Sequence, residues 1–333
     1  MIWLSIVCAT IIAMIVVGGI TRLTESGLSM VDWRPIMGAI PPLNHAEWEQ
    51  AFNAYKQFPQ YHKEFQNLDL EGFKHIFYWE YSHRLLGRTI GVMYFVPFVL
   101  FWWFGKIERK RLPRFIIALV LGGLQGLLGW YMVKSGLVNM PRVSHFRLAA
   151  HLMLALFILS YLFWLILDIL EVKRVDTPRL MRRFVYLLTG LLIVQIVYGA
   201  FVAGLRAGYG YNTFPKMNDK WIADAVFSAH PWWLDMVDSH ATVQFIHRWL
   251  GATILTLGVI LWLGARRLGT KLKWSTVAVA CALMIQFTLG VLTLVNVVPI
   301  DLASLHQAWA CVVLLSVVHL AYVVWPGRRV AIA

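Results

Sequence analysis

Charge is scarce in this sequence. Only 14% of its 333 residues are Asp, Glu, Lys or Arg, against roughly a quarter in a soluble domain. A water-facing surface of ordinary extent cannot be built from so few. Cysteine is nearly missing as well. Cys8, Cys281 and Cys311 each fall inside an apolar run, so no disulfide framework can staple the connecting loops. The three read as small core residues. What is abundant is apolar: 59% of the chain is hydrophobic, with 16 Trp and 19 Phe. Runs of about 20 such residues, enough to cross a bilayer, fall near 2–21, 82–104, 114–133, 148–170, 184–205, 243–264, 274–297 and 303–325. Backbone polar groups in lipid must be satisfied within their own segment, so these runs are helices. The fold class expected is therefore an all-α integral membrane protein with eight transmembrane helices. The first run lacks a basic n-region and ends in Gly18-Gly19-Ile20-Thr21-Arg22 without a small-residue cleavage site, so it reads as a helix and not a signal peptide.

A net charge of +13 raises the question of nucleic acid, and its distribution answers it. Lys106, Arg109, Lys110, Arg111 and Arg114 form one basic cluster, and Lys173, Arg174, Arg179, Arg182 and Arg183 form the next. Arg266, Arg267, Lys271 and Lys273 make a third, and Arg328 and Arg329 follow the last helix. The clusters occupy every second connection, whereas the 22–80 loop holds eight acidic against five basic residues. This is the positive-inside pattern. It places both termini in the cytoplasm, with a bacterial inner membrane as the expected location, and implies lipid and not nucleic acid as the partner.

The chain repeats itself. His83-Arg84-Leu85-Leu86-Gly87-Arg88-Thr89-Ile90 matches His247-Arg248-Trp249-Leu250-Gly251-Ala252-Thr253-Ile254. The third and seventh runs share Gln-x-x-x-Gly, as Gln125/Gly129 and Gln286/Gly290. The fourth and eighth carry one early histidine each, His151 and His306. The first and fifth share Gly18 with Gly199, followed by Pro35 and Pro215. Two tandem pseudo-symmetric four-helix bundles are expected, over 1–172 and 180–326, related as a parallel repeat. Gly87, Gly91, Gly122, Gly126, Gly129, Gly251 and Gly290 are expected to let helices approach closely. In the long 22–80 loop, apolar and aromatic residues recur at helical spacing between Leu43 and Gln66. This predicts one or two short helices broken at Pro59, lying over the outer mouth of the bundle. The 206–240 loop is expected to do the same for the second half.

Four of the eleven histidines belong to the repeat: His83, His151, His247 and His306. Each is expected within about two turns of its helix start, on a helix running inward, which puts all four near the outer leaflet and two in each bundle. A lone membrane histidine commonly bonds to a neighbouring helix. Four at repeated positions suit two haem irons, each held between two imidazoles. Other metal sites usually add carboxylates or cysteines. Arg84 and Arg248 are candidates for haem propionate contacts, with snorkelling to the headgroups as the alternative. Arg88, one turn deeper, calls for a partner.

The halves differ at one ionisable position. Glu80 stands three residues before His83, on the same helix face, and Gln244 stands three before His247. A haem that only carries electrons needs no acid at its edge. A haem that is chemically altered can use a carboxylate to move protons or stabilise positive charge. Glu80 is therefore the candidate catalytic residue, chemistry belongs to the first half, and a resident cofactor belongs to the second. The bland alternative is that Glu80 is an interfacial residue facing water.

Taken together, these residues resemble the haem A synthases, in the branch found in mitochondria and many proteobacteria. The resemblance spans essentially the whole chain. It rests on Gly18 to Met30 with Asp32-Trp33, on Glu71 to Phe77, on Trp79-Glu80-Tyr81-Ser82-His83-Arg84, and on Phe245-Ile246-His247-Arg248. It implies oxidation of the C8 methyl of haem O to a formyl group, by way of hydroxymethyl haem, giving haem A for cytochrome c oxidase. Substrate haem would lie between His83 and His151 with Glu80 at the reacting edge. Haem b would lie between His247 and His306 and pass electrons. The implied partners are haem O synthase and assembly factors of cytochrome c oxidase, an electron donor, and, as an option, further copies of the chain. Some bacterial relatives carry a cysteine pair in the outer loops. This chain has none there, so a mechanism through a loop disulfide is excluded. The principal rival is a dihaem b-type electron carrier without porphyrin chemistry. A transporter or haem chaperone is disfavoured by the lack of paired helix breaks, and a purely structural assembly factor by the four matched histidines.

Overall fold

The computed structural model describes residues 1–31, 37–136 and 141–326. Asp32, Trp33, Pro35, Arg328 and Arg329 lie outside the described residues. Among the described residues eleven α-helices follow one another: α1 (Ile2–Leu23), α2 (His45–Tyr55), α3 (Pro59–Glu64), α4 (Leu70–Trp103), α5 (Leu112–Lys134), α6 (His145–Ile169), α7 (Arg179–Gly204), α8 (Trp232–Asp238), α9 (His240–Ala265), α10 (Thr270–Val295) and α11 (Ile300–Val324). Eight of them, all but α2, α3 and α8, are long and apolar enough to cross a membrane. Their outward faces carry large apolar side chains such as Val92, Phe95, Val120 and Leu127, all exposed. Surface of this kind belongs against lipid.

The chain divides into two compact units, Ile2–Leu159 and the chain from Ser160 onward, with the division inside α6. In the first, α1 packs antiparallel against α4. Trp3 Nε1 donates to the Met93 carbonyl (2.7 Å), and Thr21 Oγ1 donates to that of Trp79 (3.3 Å). Tyr94 then joins α4 to α5 through a 2.8 Å bond to the Phe115 carbonyl.

Helix α4 begins at Leu70, three turns before the apolar run that marks it in the sequence. Asp69 caps it by accepting from the Gly72 N–H at 2.8 Å. The extra turns bury Phe73, Ile76 and Phe77 against Trp48, Phe52 and Tyr55 of α2. That tertiary packing carries the helix beyond its lipid-facing stretch, and His83 consequently lies more than three turns from the helix start and not within two. Two short loop helices broken at Pro59 are present as expected. Asn44 caps α2 by accepting from the Glu47 N–H, and Pro59 opens α3 at its first position.

In the second unit α7 packs against α9 and α11, and α10 packs against both of the same helices. Trp309 Nε1 donates to the Ala282 carbonyl at 3.0 Å. The ends of α6 and α11 meet where Tyr322 donates to Asp168 at 2.9 Å and Arg174 pairs with the same carboxylate. Cys8 and Cys311 are buried, but Cys281 is exposed on α10 and is not a core residue.

Candidate functional site

Each repeat histidine packs against a glycine on a neighbouring helix. In the first unit a Cβ built on Gly18 of α1 would stand 2.8 Å from His83 Nε2. One built on Gly129 of α5 would stand 2.9 Å from His151 Cε1. In the second unit the distances are 3.1 Å from Gly199 of α7 to His247 Cε1 and 2.9 Å from Gly290 of α10 to His306 Cε1. Only glycine leaves room for an imidazole at these crossings. The rings are within electrostatic reach of each other in two pairs, His83 with His151 and His247 with His306. Of the other glycines read as close-approach positions, Gly87 meets Met14 and Gly251 meets Gln195. Gly91, Gly122 and Gly126 face open space and bring no helix closer.

Three of the four rings also have a glutamine partner, placed one turn before the glycine on the same helix. Gln125 Nε2 lies 3.4 Å from His151 Nε2, Gln195 Nε2 lies 3.5 Å from His247 Nε2, and Gln286 Nε2 lies 3.4 Å from His306 Nε2. Gln125 and Gln195 donate in addition to the backbone carbonyls of His151 and His247, at 3.1 and 3.0 Å. Gln195 escaped the sequence reading, although Gln195-x-x-x-Gly199 is a third copy of the pattern noted at Gln125 and Gln286. The first helix has Met14-x-x-x-Gly18 instead.

Glu80 is buried, with 2% of its surface exposed, so it does not face water. Its carboxylate accepts from Ser29 Oγ at 2.8 Å, from the Met30 N–H at 2.7 Å and from Arg84 at 2.6 Å. Arg84 donates as well to the Met30 carbonyl at 2.8 Å. The segment before residue 32 is thereby tied to α4 one turn ahead of His83. Gln244, also buried, occupies the equivalent place in the second unit. It donates to the carbonyls of Ala207 and Gly210 at 2.9 and 2.6 Å. Arg248 reaches Gln244 Oε1, the Tyr211 carbonyl and the carbonyls of Thr213 and Lys216. Neither arginine snorkels: both guanidinium groups are held by the loop that precedes their helix. Arg88 is likewise engaged by a neighbour.

Can these residues hold haem? Among the described residues no three His, Cys, Asp or Glu side chains converge on one metal position; the candidate donors are the four imidazoles, a ligand type that suits haem iron. Nδ1 of His151, His247 and His306 is buried without a hydrogen-bond partner, as is Oε1 of Gln125, Gln195 and Gln286. Buried polar atoms left unpaired are costly, and here they gather at the histidines. The side chains fit the group. Among the described residues, Glu80 is the carboxylate that stands one turn from a histidine of either pair.

Comparison with known proteins agrees in direction. Residues 1–318 match the COX15-CtaA family, described as cytochrome oxidase assembly protein. A protein of Nitrosospira multiformis named Heme A synthase is 44% identical over 318 residues, covering 93% of this chain and 88% of its own. Rhodopseudomonas palustris and Parvibaculum lavamentivorans have proteins of the same name. They are 46% and 44% identical, covering 94% and 99% of this chain and 85% and 93% of their own.

Proposed function

Because the chain belongs to the COX15-CtaA family of cytochrome oxidase assembly proteins, we propose that it catalyses the conversion of haem O to haem A in a bacterial inner membrane. The C8 methyl group of the substrate becomes a formyl group in two successive two-electron oxidations, with hydroxymethyl haem between them. Substrate haem is held by His83 and His151 in an N-terminal bundle, 1–172. Haem b is held by His247 and His306 in a C-terminal bundle, 180–326, and when bound supplies a one-electron path for the electrons released. Both termini lie in the cytoplasm and the haem sites toward the outer face.

One observation carries this reading: among the described residues the two units hold their histidines alike, on glycine seats, but only the first places a carboxylate one turn away. Glu80 ties its helix to a preceding loop by accepting and Gln244 by donating, so loop anchoring alone does not call for a charge. A buried carboxylate with three donors is fixed in direction, and it can take up a proton released as the substrate methyl is oxidised or offset positive charge beside it. Arg84 holds that carboxylate in a 2.6 Å ion pair. Arg84 and Arg248 would exchange part of their loop contacts for haem propionates.

The test is co-expression with a haem O synthase in a host lacking haem A, followed by extraction and chromatography of the haems. Haem A or hydroxymethyl haem from the wild type but not from Glu80→Gln is the expected result. Unchanged haem O beside co-purified haem B, with the protein folded and electrons supplied, would leave a dihaem electron carrier as the better account.

A further inference from the structure

The repeat sets α5 on α10 through Gln125/Gly129 and Gln286/Gly290, and α4 on α9 through His83 and His247. At that register three positions hold glycine in the first unit and a large apolar residue in the second. Gly122 answers to Leu283, Gly126 to Phe287 and Gly91 to Leu255.

In the second unit the side chains of α10 close its seam with α9. A Cβ on Gly258 would stand 2.5 Å from Leu283 Cδ1, and one on Gly251 would stand 4.0 Å from Phe287 Cδ2. Phe287 also meets Phe214 edge-on, with ring centroids 5.8 Å apart. In the first unit α4 and α5 join at a crossing farther from the histidines. Tyr94 donates there to the Phe115 carbonyl at 2.8 Å, and Phe98 stacks on the Phe115 ring at 6.2 Å. Between that crossing and His151 the bundle side of α5 carries Gly122 and Gly126. They lie two turns and one turn from Gly129, the seat of His151, on the side of the helix opposite Val120, Leu124 and Leu127. A Cβ built on Gly91, Gly122 or Gly126 would meet nothing within 4 Å, and all three residues are exposed. Gln125 Oε1 and His151 Nδ1, buried and unpaired, put this stretch of α5 beside the candidate haem site.

Glycine inside a helix weakens it, and no close helix approach offsets that here. What these glycines supply is room. Haem O differs from haem B by a hydroxyethylfarnesyl group in place of a vinyl, and the farnesyl chain asks for space and apolar walls, not polar partners. Leu255, Leu283 and Phe287 together carry as many side-chain carbons as a farnesyl group.

We infer that the open seam between α4 and α5 receives the farnesyl chain of haem O, with Gly91, Gly122 and Gly126 as its specificity-determining positions. Leu283 and Phe287 seal the same place in the second unit and restrict that site to haem B. The inference rests on the haem reading above and says how the two sites tell their haems apart.

The haem content of the purified chain reads this selection without turnover. Full-length protein would be co-expressed with a haem O synthase and its haems extracted, all farnesylated haems being counted together against haem B. The wild type should carry the two kinds in like amounts. Gly122→Leu combined with Gly126→Phe puts the second unit's side chains into the first seam, which two bulky groups fill and a single methyl does not. The farnesylated fraction should fall by about tenfold or more, the scale of overpacking an occupied space, while haem B does not fall. A fraction within about twofold of wild type, or an equal loss of haem B, would overturn the inference; the second result would make the glycines part of the porphyrin seat. Leu283→Gly combined with Phe287→Gly is the converse and decides the matter if the first variant folds poorly. Farnesylated haem should then exceed haem B, and an unchanged ratio overturns the inference. The haem reading has its own check in the same preparations. His83→Ala should lose farnesylated haem and His247→Ala haem B. A chain that shows neither loss refutes the haem sites themselves, whereas both losses beside an unmoved ratio in the seam variants refute the seam alone.

Discussion

Glu80 and Arg84 stand one helical turn apart on α4 and meet in a 2.6 Å ion pair, with only 3% and 11% of their side chains exposed. Their counterparts Gln244 and Arg248 meet at 3.1 Å without a full charge on the glutamine. The two pairs therefore form a natural comparison between anchoring a loop and anchoring a loop with a buried anion.

Glu80→Gln should keep the fold, because an amide oxygen of the same reach can still accept from Ser29 Oγ and the Met30 N–H. It should also keep both haems. Turnover should fall by about 10²-fold or more, the scale associated with losing a general acid or base. Haem-to-protein ratio, gel filtration and product chromatography on one preparation check the three parts. A variant that retains most of its activity would reduce Glu80 to a loop anchor.

Arg84→Ala should destabilise the protein far more than Arg248→Ala. Removing Arg84 strands a buried carboxylate, at a cost of about 3–5 kcal/mol, whereas removing Arg248 leaves only neutral acceptors, at about 1–3 kcal/mol. Thermal unfolding in detergent checks the order. Combining Arg84→Ala with Glu80→Gln should recover part of the loss, since the stranded charge is then gone.

Alanine at the glycine seats should expel haem one unit at a time. Gly18→Ala and Gly129→Ala put a methyl group 2.8–2.9 Å from a ring atom of His83 or His151, and Gly290→Ala puts one 2.9 Å from His306. The first two should lose substrate haem and keep haem B, and the third the reverse. Gly91→Ala and Gly122→Ala, with nothing within 4 Å, should leave both haems in place. Pyridine haemochrome spectra distinguish these outcomes.

Trp48→Ala should loosen the N-terminal end of α4 without disturbing the other membrane-spanning helices. Trp48 packs edge-on against Phe77 at 5.0 Å and against Phe73 at 6.4 Å. Its loss from a packed cluster costs about 3–5 kcal/mol. Limited proteolysis between α2 and α4 should speed up, and haem retention at His247 and His306 should not change.

The membrane class, the eight spans, the repeat and the four histidines were legible in the sequence for a common reason. Lipid demands long unbroken apolar helices, and a buried imidazole stands out against such a background. The pairing of histidine with glycine was half legible. Gly18, Gly129, Gly199 and Gly290 all stood in the repeat, yet nothing local tied a glycine to a ring more than 15 residues away.

What only the tertiary structure decided is what each polar group meets. Ser29 and the Met30 N–H reach Glu80 from about 50 residues away, because α1 brings its C-terminal end to the side of α4. Leu70 starts α4 well before its apolar run because Trp48, Phe52 and Tyr55 cover that surface, and burial by a neighbour leaves no mark on local hydropathy. Gly91, Gly122 and Gly126 look no different from Gly87 and Gly129 in the chain, yet they face open space. Sequence periodicity fixes which residues share a helix face. Which faces meet depends on how the helices pack, and that packing puts Gln195 against His247 and Met14 against Gly87.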